Sequence, residues 1–373
     1  MATISVKLRL LPTKAQETAL SQALDLCRHV YNSLLNERAA LYEITGKAPT
    51  LRQQQLSLTR WKEAHPELRE VHSQALQNVA VRVELAFQAF FRRVKHGENP
   101  GYPRIKGAGW YDSLTFPQVP SGCRLQGSFL QVSKIGQLRC IVHRALIGTP
   151  KTCTIRRHGN KWYACFACEY DPVPLPPSEE AVGIDVGLEK FAALSDGTFV
   201  ENPRFFRRDE TALAKAQQRM AKQANGTPAR RKARKVVSRI HERIRNRRHD
   251  FVHQFSRRLV NRYGLIAVEQ LNIKGMVKNH ALAKSISDAA WGQFRAMLAN
   301  KAESAGRNLV EVNPAYTSQE CSGCGYRAKK PLKERWHFCP VCSLSLDRDT
   351  NAATNILKIA VGQHSVVECP RSG

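Results

Sequence analysis

The chain has 373 residues, with 58 Lys or Arg against 31 Asp or Glu, a formal net charge of +27. A field of that size favours a polyanionic partner, because self-repulsion destabilises the compact state unless something neutralises it. Hydrophobic residues at 42% exclude a disordered chain, and no run of about 18 apolar residues is present to span a membrane.

The N-terminal MATISVKLRL lacks the apolar core of a signal peptide, which predicts a cytoplasmic, nucleoid-associated protein. Its alternation of Ile4, Val6, Leu8 and Leu10 with Ser5, Lys7 and Arg9 predicts a half-buried strand. Pro12 and Thr13 then open a helix, with Thr13 and Gln16 placed as a capping box. A second long helix is expected from the spacing of Leu68, Val71, Ala75, Val79, Val83, Ala86 and Phe90, ending near Gly97. From Gly101 to about Tyr170 short apolar runs separated by Gly and Pro predict a small β-barrel or sheet, which the N-terminal strand completes. The segment DPVPLPPS, with four prolines, reads as a stiff linker between domains.

After the linker, AVGIDVG and FAALSDGTFV predict strands, with Asp196-Gly197 as a hairpin turn. A basic helix follows from Arg230 to Arg248, in which ten of nineteen residues are Arg or Lys and Val236, Ile240 and Ile244 form an apolar stripe. GLIAVEQL reads as a buried strand, WGQFRAMLANKAESAG as a helix and NLVEV as a further strand, so this half is an α/β core.

Cys321 and Cys324, then Cys339 and Cys342, form two Cys-x-x-Cys pairs fourteen residues apart. Two such turns supply the four thiolates of a tetrahedral structural Zn²⁺ site, and Gly323 and Gly325 permit the tight backbone. Cys165 and Cys168 have the same spacing but lie in KWYACFACEY, which reads as a strand. Residues three apart on a strand face opposite sides, so these two thiols do not share an ion. Cys27, Cys123, Cys140, Cys153 and Cys369 carry no readable signal.

Asp185 in VGIDVG and Glu269 in LIAVEQL interrupt strands whose other residues are apolar, where an unpaired carboxylate is costly. Either one alone would read as a cap or an arginine partner. Together with a third acid after the cysteines they make a set that can hold two Mg²⁺ ions about 3.5–4 Å apart, the arrangement of phosphodiester hydrolysis. Spacing leaves both Asp347 and Asp349 open as the third acid, and one of them is expected to cap the following helix.

Several ordered motifs carry a resemblance that covers nearly the whole chain: GYPRIKG at 101–107, GIDVGLEKFAALSDG at 183–197, RRHDFVHQFSRRLVNRYGLIAVEQLNIKGM at 247–276, and NPAYTSQECSGCG through CPVCSLSLDRDTNAATNI. They resemble TnpB, the RNA-guided nuclease of bacterial and archaeal insertion sequences, related to type V CRISPR effectors. The resemblance implies a multidomain α+β fold. Its parts would be a wedge β-barrel over 1–11 and 98–172, a helical recognition insertion over 12–97 and a Pro-rich linker over 173–178. An RNase H-like (RuvC) α/β domain would follow over 179–315 and 345–365, with a zinc ribbon inserted over 316–344 and a tail over 366–373.

The same resemblance places the catalytic, Mg²⁺-binding acids at Asp185, Glu269 and Asp349, leaving Asp347 as a neighbour or cap. It implies a guide RNA made from the transposon end, a short DNA motif beside the target, and cutting of both DNA strands at one site. Arg230, Arg231, Lys232, Arg234, Lys235, Arg239 and Arg243 are the expected nucleic-acid-binding residues. Competing expectations are a nuclease-inactive, RNA-guided repressor and a strand-transfer transposase.

Overall fold

The computed structural model describes residues 1–328, 331 and 334–367, with side chains through 362. The tail expected over 366–373, with Cys369, lies outside the described residues from 368 onward. The chain divides between Asp171 and Pro172 into two compact units.

In the first unit, β1 (Ala2–Leu11) leads into α1 (Lys14–Thr45), α2 (Leu51–Ala64) and α3 (Ser73–Lys95). Six strands follow: β2 (Ser113–Phe116), β3 (Cys123–Gln126), β4 (Phe129–Val132), β5 (Gly136–Ile141), β6 (Thr149–His158) and β7 (Lys161–Tyr170). Thr13 and Gln16 form the capping box read from the sequence. The second long helix starts later than its apolar spacing suggests. Leu68 lies in a short 3-10 turn over Pro66–Glu70, and Val71 follows it in extended conformation; both are buried, but the helix begins at Ser73. The intervening α2, which pattern reading did not resolve, has its own Thr50 and Gln53 capping box.

The strands form one antiparallel sheet in the order β2-β6-β7-β1-β5-β4-β3; β1 joins it as expected and takes the central place. The sheet curls until its ends approach. The Cys123 thiol of β3 lies close enough to Cys153 of β6 to raise its thiol pKa, and a side chain at Gly122 would run into the Phe116 ring of β2. The result is a nearly closed, barrel-like sheet filled by Val6, Leu8, Leu130, Leu138, Ile155, Trp162 and Phe166. On β7, Cys168 is buried with Trp162, Ala164 and Phe166, whereas Cys165 faces the other side, so the two thiols are separated as the strand period requires.

The second unit contains β8 (Ala181–Val186), β9 (Lys190–Leu194), β10 (Phe199–Glu201), α4 (Phe205–Ala221), α5 (Pro228–Arg262) and β11 (Leu265–Glu269). The chain continues through α6 (Ile273–Met276), α7 (His280–Ala289), α8 (Trp291–Ala305), β12 (Asn308–Val312), β13 (Trp336–Phe338), β14 (Ser345–Asp347) and α9 (Arg348–Val367). Its main sheet runs β10-β9-β8-β11-β12. β8, β11 and β12 are parallel to one another, and β9 is antiparallel to both its neighbours.

Alternation along these strands decides which helix meets which face. Val182 and Ile184 of β8 and Ile266 and Val268 of β11 bury against Val252, Phe255 and Leu259 of α5 and Phe294 and Leu298 of α8. Ala267, on the other face, packs with Ile356 and Ala360 of α9. Gly183 lies beside Ala267 in register and faces the same helix. A methyl group at Gly183 would sit 2.0 Å from the Ala353 carbonyl oxygen and 2.8 Å from the Leu357 nitrogen. Only a bare backbone lets α9 lie this close to β8. Gly183→Ala is therefore expected to cost about 3 kcal/mol or more, the upper end of overpacking, because the obstacle is helix backbone. Thermal unfolding checks this: an unchanged midpoint would show that α9 does not rest on β8.

The apolar stripe of the basic helix keeps Ile240 and Ile244 from its sequence reading and differs at one position. Val236 is exposed, whereas Val237, Ile240 and Ile244 face inward. Val237 and Ile240 pack against Leu213, Ala216, Phe206 and Met220 of α4. The partner helix α4, absent from the sequence reading, selects which side of α5 is covered.

Candidate active site and metal centre

Asp185 and Glu269 occupy equivalent places on neighbouring parallel strands. The β8–β11 register runs to Ile184 opposite Val268, so the two acids are the next pair along it. By the period of two, Asp185 shares the face of Gly183, and Glu269 that of Ala267, which is the face covered by α9. Asp349 sits in the first turn of α9. The close approach at Gly183 thus carries the third acid to the other two. A helix N-terminus also favours a carboxylate there.

The charges of Glu269 and Asp349 are felt at Asp185. Burial, followed by the charges of Glu269 and Asp349, pushes Asp185 well above the usual carboxylate range, with Arg348 opposing. Burial raises Glu269 against the hydrogen bond from Thr317. Burial and then Asp347 raise Asp349, against Arg335, Lys190 and Arg348. Asp347 has a separate task. Its Oδ1 accepts hydrogen bonds from the Asp349 and Thr350 backbone amides at 2.9 and 3.3 Å, and its Oδ2 pairs with Lys190 Nζ at 3.0 Å. The structure therefore places Asp347 as the helix cap.

Polar contacts that the sequence reading missed hold the acids in position. The Thr317 hydroxyl donates to Glu269 Oε1 at 2.8 Å. Asn351, fully buried, accepts from the Ser322 amide at 2.8 Å and donates to the Glu320 carbonyl at 2.7 Å. Asn355 donates to the Thr317 and Glu320 carbonyls at 2.9 and 2.8 Å, and Lys358 donates to the Ser322 carbonyl. One face of α9 thus grips the 317–322 loop. The spacing of Asn351 and Asn355, four apart in a helical pattern, was the available signal. Arg335 is 3.8 Å from Asp349 and also bridges Glu189.

That loop leads into the cysteine cluster. The sulfurs of Cys321, Cys324, Cys339 and Cys342 lie within 4.8 Å of one another, with Cys321–Cys342 and Cys324–Cys339 each at 3.5 Å. A tetrahedron with metal–sulfur bonds of about 2.3 Å has edges of about 3.8 Å, so the set fits one Zn²⁺. Backbone amides of Cys342 and then Val341 hold the Cys339 thiol down to about 6. Cys342 is pushed up to about 12, against the Leu344 amide, by burial and the other three sulfurs. Among the described residues this is the one group of three or more such side chains so closely gathered. The three acids are spread more widely. Their donor set is oxygen alone, and among the described contacts no lysine or arginine forms an ion pair with Asp185 or Glu269. Such a set fits a hard divalent cation.

The expected nucleic-acid contacts on α5 fall into two groups. Arg230 donates to the Met220 and Gln223 carbonyls at 3.0 and 2.7 Å, closing the end of α4, and Arg243 pairs with the buried Asp209. These two guanidinium groups hold helices together. Arg231, Lys232, Arg234, Lys235 and Arg239 are exposed.

Three family models match the chain: "Probable transposase" over 165–280, "Cas12f1-like, TNB domain" over 291–356 and "Helix-turn-helix domain" over 1–47. A Streptomyces pristinaespiralis protein with the provisional name RNA-guided DNA endonuclease is 35% identical over 94% of this chain and 88% of its own. A protein of Escherichia coli K12, provisionally named RNA-guided DNA endonuclease InsQ, is 30% identical over 97% of this chain and 93% of its own. In fold, the chain is similar to the protein in the cryo-EM structure of a Cas12f1–sgRNA–target DNA complex, with TM-score 0.59 and 13% identity over 95% of this chain and 98% of that one.

Proposed function

Because the chain belongs to the TnpB family of RNA-guided DNA endonucleases, we propose that it binds a guide RNA from a transposon end and cleaves matching double-stranded DNA by metal-assisted phosphodiester hydrolysis. The observation that carries this reading is the meeting of Asp185, Glu269 and Asp349 from three separate elements in a chain of net charge +27. The mixed five-stranded sheet with acids on adjacent parallel strands supports an RNase H-like (RuvC) domain.

Asp185, Glu269 and Asp349 would hold two Mg²⁺ ions. When bound, such ions activate water and stabilise the leaving oxygen of the phosphodiester. The chain's own residues set up that site. Thr317 fixes one Glu269 oxygen, Asp347 ties the first turn of α9, and Lys190 neutralises Asp347. Cys321, Cys324, Cys339 and Cys342 would hold one structural Zn²⁺ in a ribbon over 316–344, keeping the 317–322 loop in shape beneath α9. The domain division is read as a wedge barrel over 1–11 and 98–172, a recognition insertion over 12–97, and a nuclease domain beyond the linker.

Arg231, Lys232, Arg234, Lys235 and Arg239 suit the tracking of nucleic-acid phosphates, while base pairing with the guide supplies sequence and a short adjacent DNA motif licenses entry. Among the described residues no helix is long and apolar enough to cross a membrane. A DNA substrate implies a cytoplasmic, nucleoid-associated site of action in a prokaryotic cell.

The test is to purify the protein at high salt and sequence the RNA that stays bound. One structured species ending in a variable guide is the expected result, followed by Mg²⁺-dependent cutting of DNA that matches it. DNA bound directly, without discrete RNA, would overturn the reading. A strand-transfer transposase is the second reading, favoured by the description of one matching family. Joining of transposon ends by the purified protein would support it, and cleavage without joining would not. Retention of all three acids speaks against a nuclease-inactive repressor.

A further inference from the structure

Trp110 is 81% exposed, more than any other aromatic residue among the large exposed hydrophobics of the described chain, yet the loop that carries it, 101–110, is fixed. Tyr102 meets the Phe87 and Phe90 rings edge-on at 5.5 Å each, anchoring the start of the loop to α3. Asn32 of α1 clamps its middle, accepting from the Lys106 amide at 2.8 Å and donating to the Lys106 carbonyl at 3.0 Å. The Lys106 ammonium lies over the Tyr31 and Tyr111 rings at 4.3 and 4.9 Å. At the far end, the Trp110 amide donates to the Gly107 carbonyl at 3.1 Å across a turn in which Gly109 has φ +76°. A side chain at Gly107 would be 3.6 Å from the indole.

A loop held this way has little backbone freedom left to lose when something stacks on its indole. The surroundings select what that is. Residues 101–110 contain Arg104 and Lys106 and no acid, and the Arg157 guanidinium approaches Gly109. The nearby Asp112 is already paired with Arg156 at 3.0 Å. An aromatic face flanked by cations matches a nucleobase flanked by phosphates.

We propose that loop 101–110 is a preformed stacking site for an unpaired base of the guide RNA, with Trp110 as the platform and Arg104 and Arg157 at the adjoining phosphates. This rests on the RNA-guided reading above. RNA is the expected ligand because unpaired bases of a structured RNA are splayed out for stacking on aromatic side chains, and a platform on a fixed loop suits a ligand that stays bound.

The copurifying RNA, transcribed with 5-bromouridine, is the probe. Irradiation of its complex with the full chain should crosslink the peptide containing Trp110. W110A should weaken RNA binding about 5–160-fold, the range for loss of one base–aromatic stack, while W110F keeps most of the affinity. The exposure of Trp110 predicts an unchanged melting temperature for both variants. Wild-type RNA affinity in W110A, or a Trp110 crosslink formed with bromodeoxyuridine DNA and not with RNA, would overturn the loop proposal while the RNA-guided reading stands. Absence of copurifying RNA would overturn both.

Discussion

Asp185→Asn should reduce cleavage of guide-matched DNA by about 1,000-fold or more, a barrier increase of ~4 kcal/mol, without loss of bound RNA. The amide keeps the shape of the side chain and removes the charge that would hold a cation beside Glu269 and Asp349. Equal cutting by the variant would sink the assignment of the site. The same substitution has an opposite effect on stability. Burial, then Glu269 and Asp349, raise Asp185 in the folded state, so the folded chain binds a proton more tightly than the unfolded chain. Stability without metal is therefore fully present below the ordinary carboxylate value and declines as pH rises toward the raised one.

Asn carries no charge to desolvate. The variant should consequently melt higher than the wild type at neutral pH in Mg²⁺-free buffer that leaves the zinc in place, with the difference shrinking in acid and on adding Mg²⁺. Wild-type cleavage should increase with pH through the same window, since cation binding needs the deprotonated acids. A variant that melts lower at every pH would show that the Asp185 carboxylate is a stabilising group.

Removal of Zn²⁺ is the second large effect expected. Structural zinc binding and local folding are one free energy, on the order of 10–16 kcal/mol in small zinc modules. Loss of the metal should release the 317–322 loop, and with it the Thr317 bond to Glu269 and the Asn351 clamp on α9. Removal of zinc by chelation followed by restoring Mg²⁺, or Cys324→Ser, should abolish cleavage and hydrogen-exchange protection around Asp349, while Met1–Asp171 keeps its protection. A zinc-free protein that cuts at the normal rate would separate the cysteines from the site. Inductively coupled plasma measurement should give about one zinc per chain.

Much of this site was legible because its residues break local rules. Asp185 and Glu269 stand out as acids in apolar strands, and paired cysteines with short spacing have few other uses. The choice between Asp347 and Asp349 was not available from spacing, since both suit a helix start; the amides of Asp349 and Thr350 settle the cap. Thr317 and Asn351 were missed because a buried polar contact depends on its partner, and the partners lie far off in sequence. Arg230 and Arg243 read as nucleic-acid-binding residues, and their bonds to α4 were missed for the same reason: α4, which they hold, was not recognised. Pattern reading also overran the start of α3, where Leu68 and Val71 keep helical spacing while the 3-10 turn at Pro66 carries the chain. Their burial, rather than their backbone conformation, produced the signal.

The close seat of α9 on Gly183 also sets an order of events in synthesis. β8 leaves the ribosome long before α9 exists, and at about 5–20 residues per second the delay is roughly 10–30 s. Throughout that interval the Gly183 face of the sheet lacks its cover, and no nascent chain ending before Asp349 carries the full acid set. The proposed cutting centre is completed only once α9 has been made. A product that stops before Asp349 therefore carries the basic surface without the acid set proposed to break DNA.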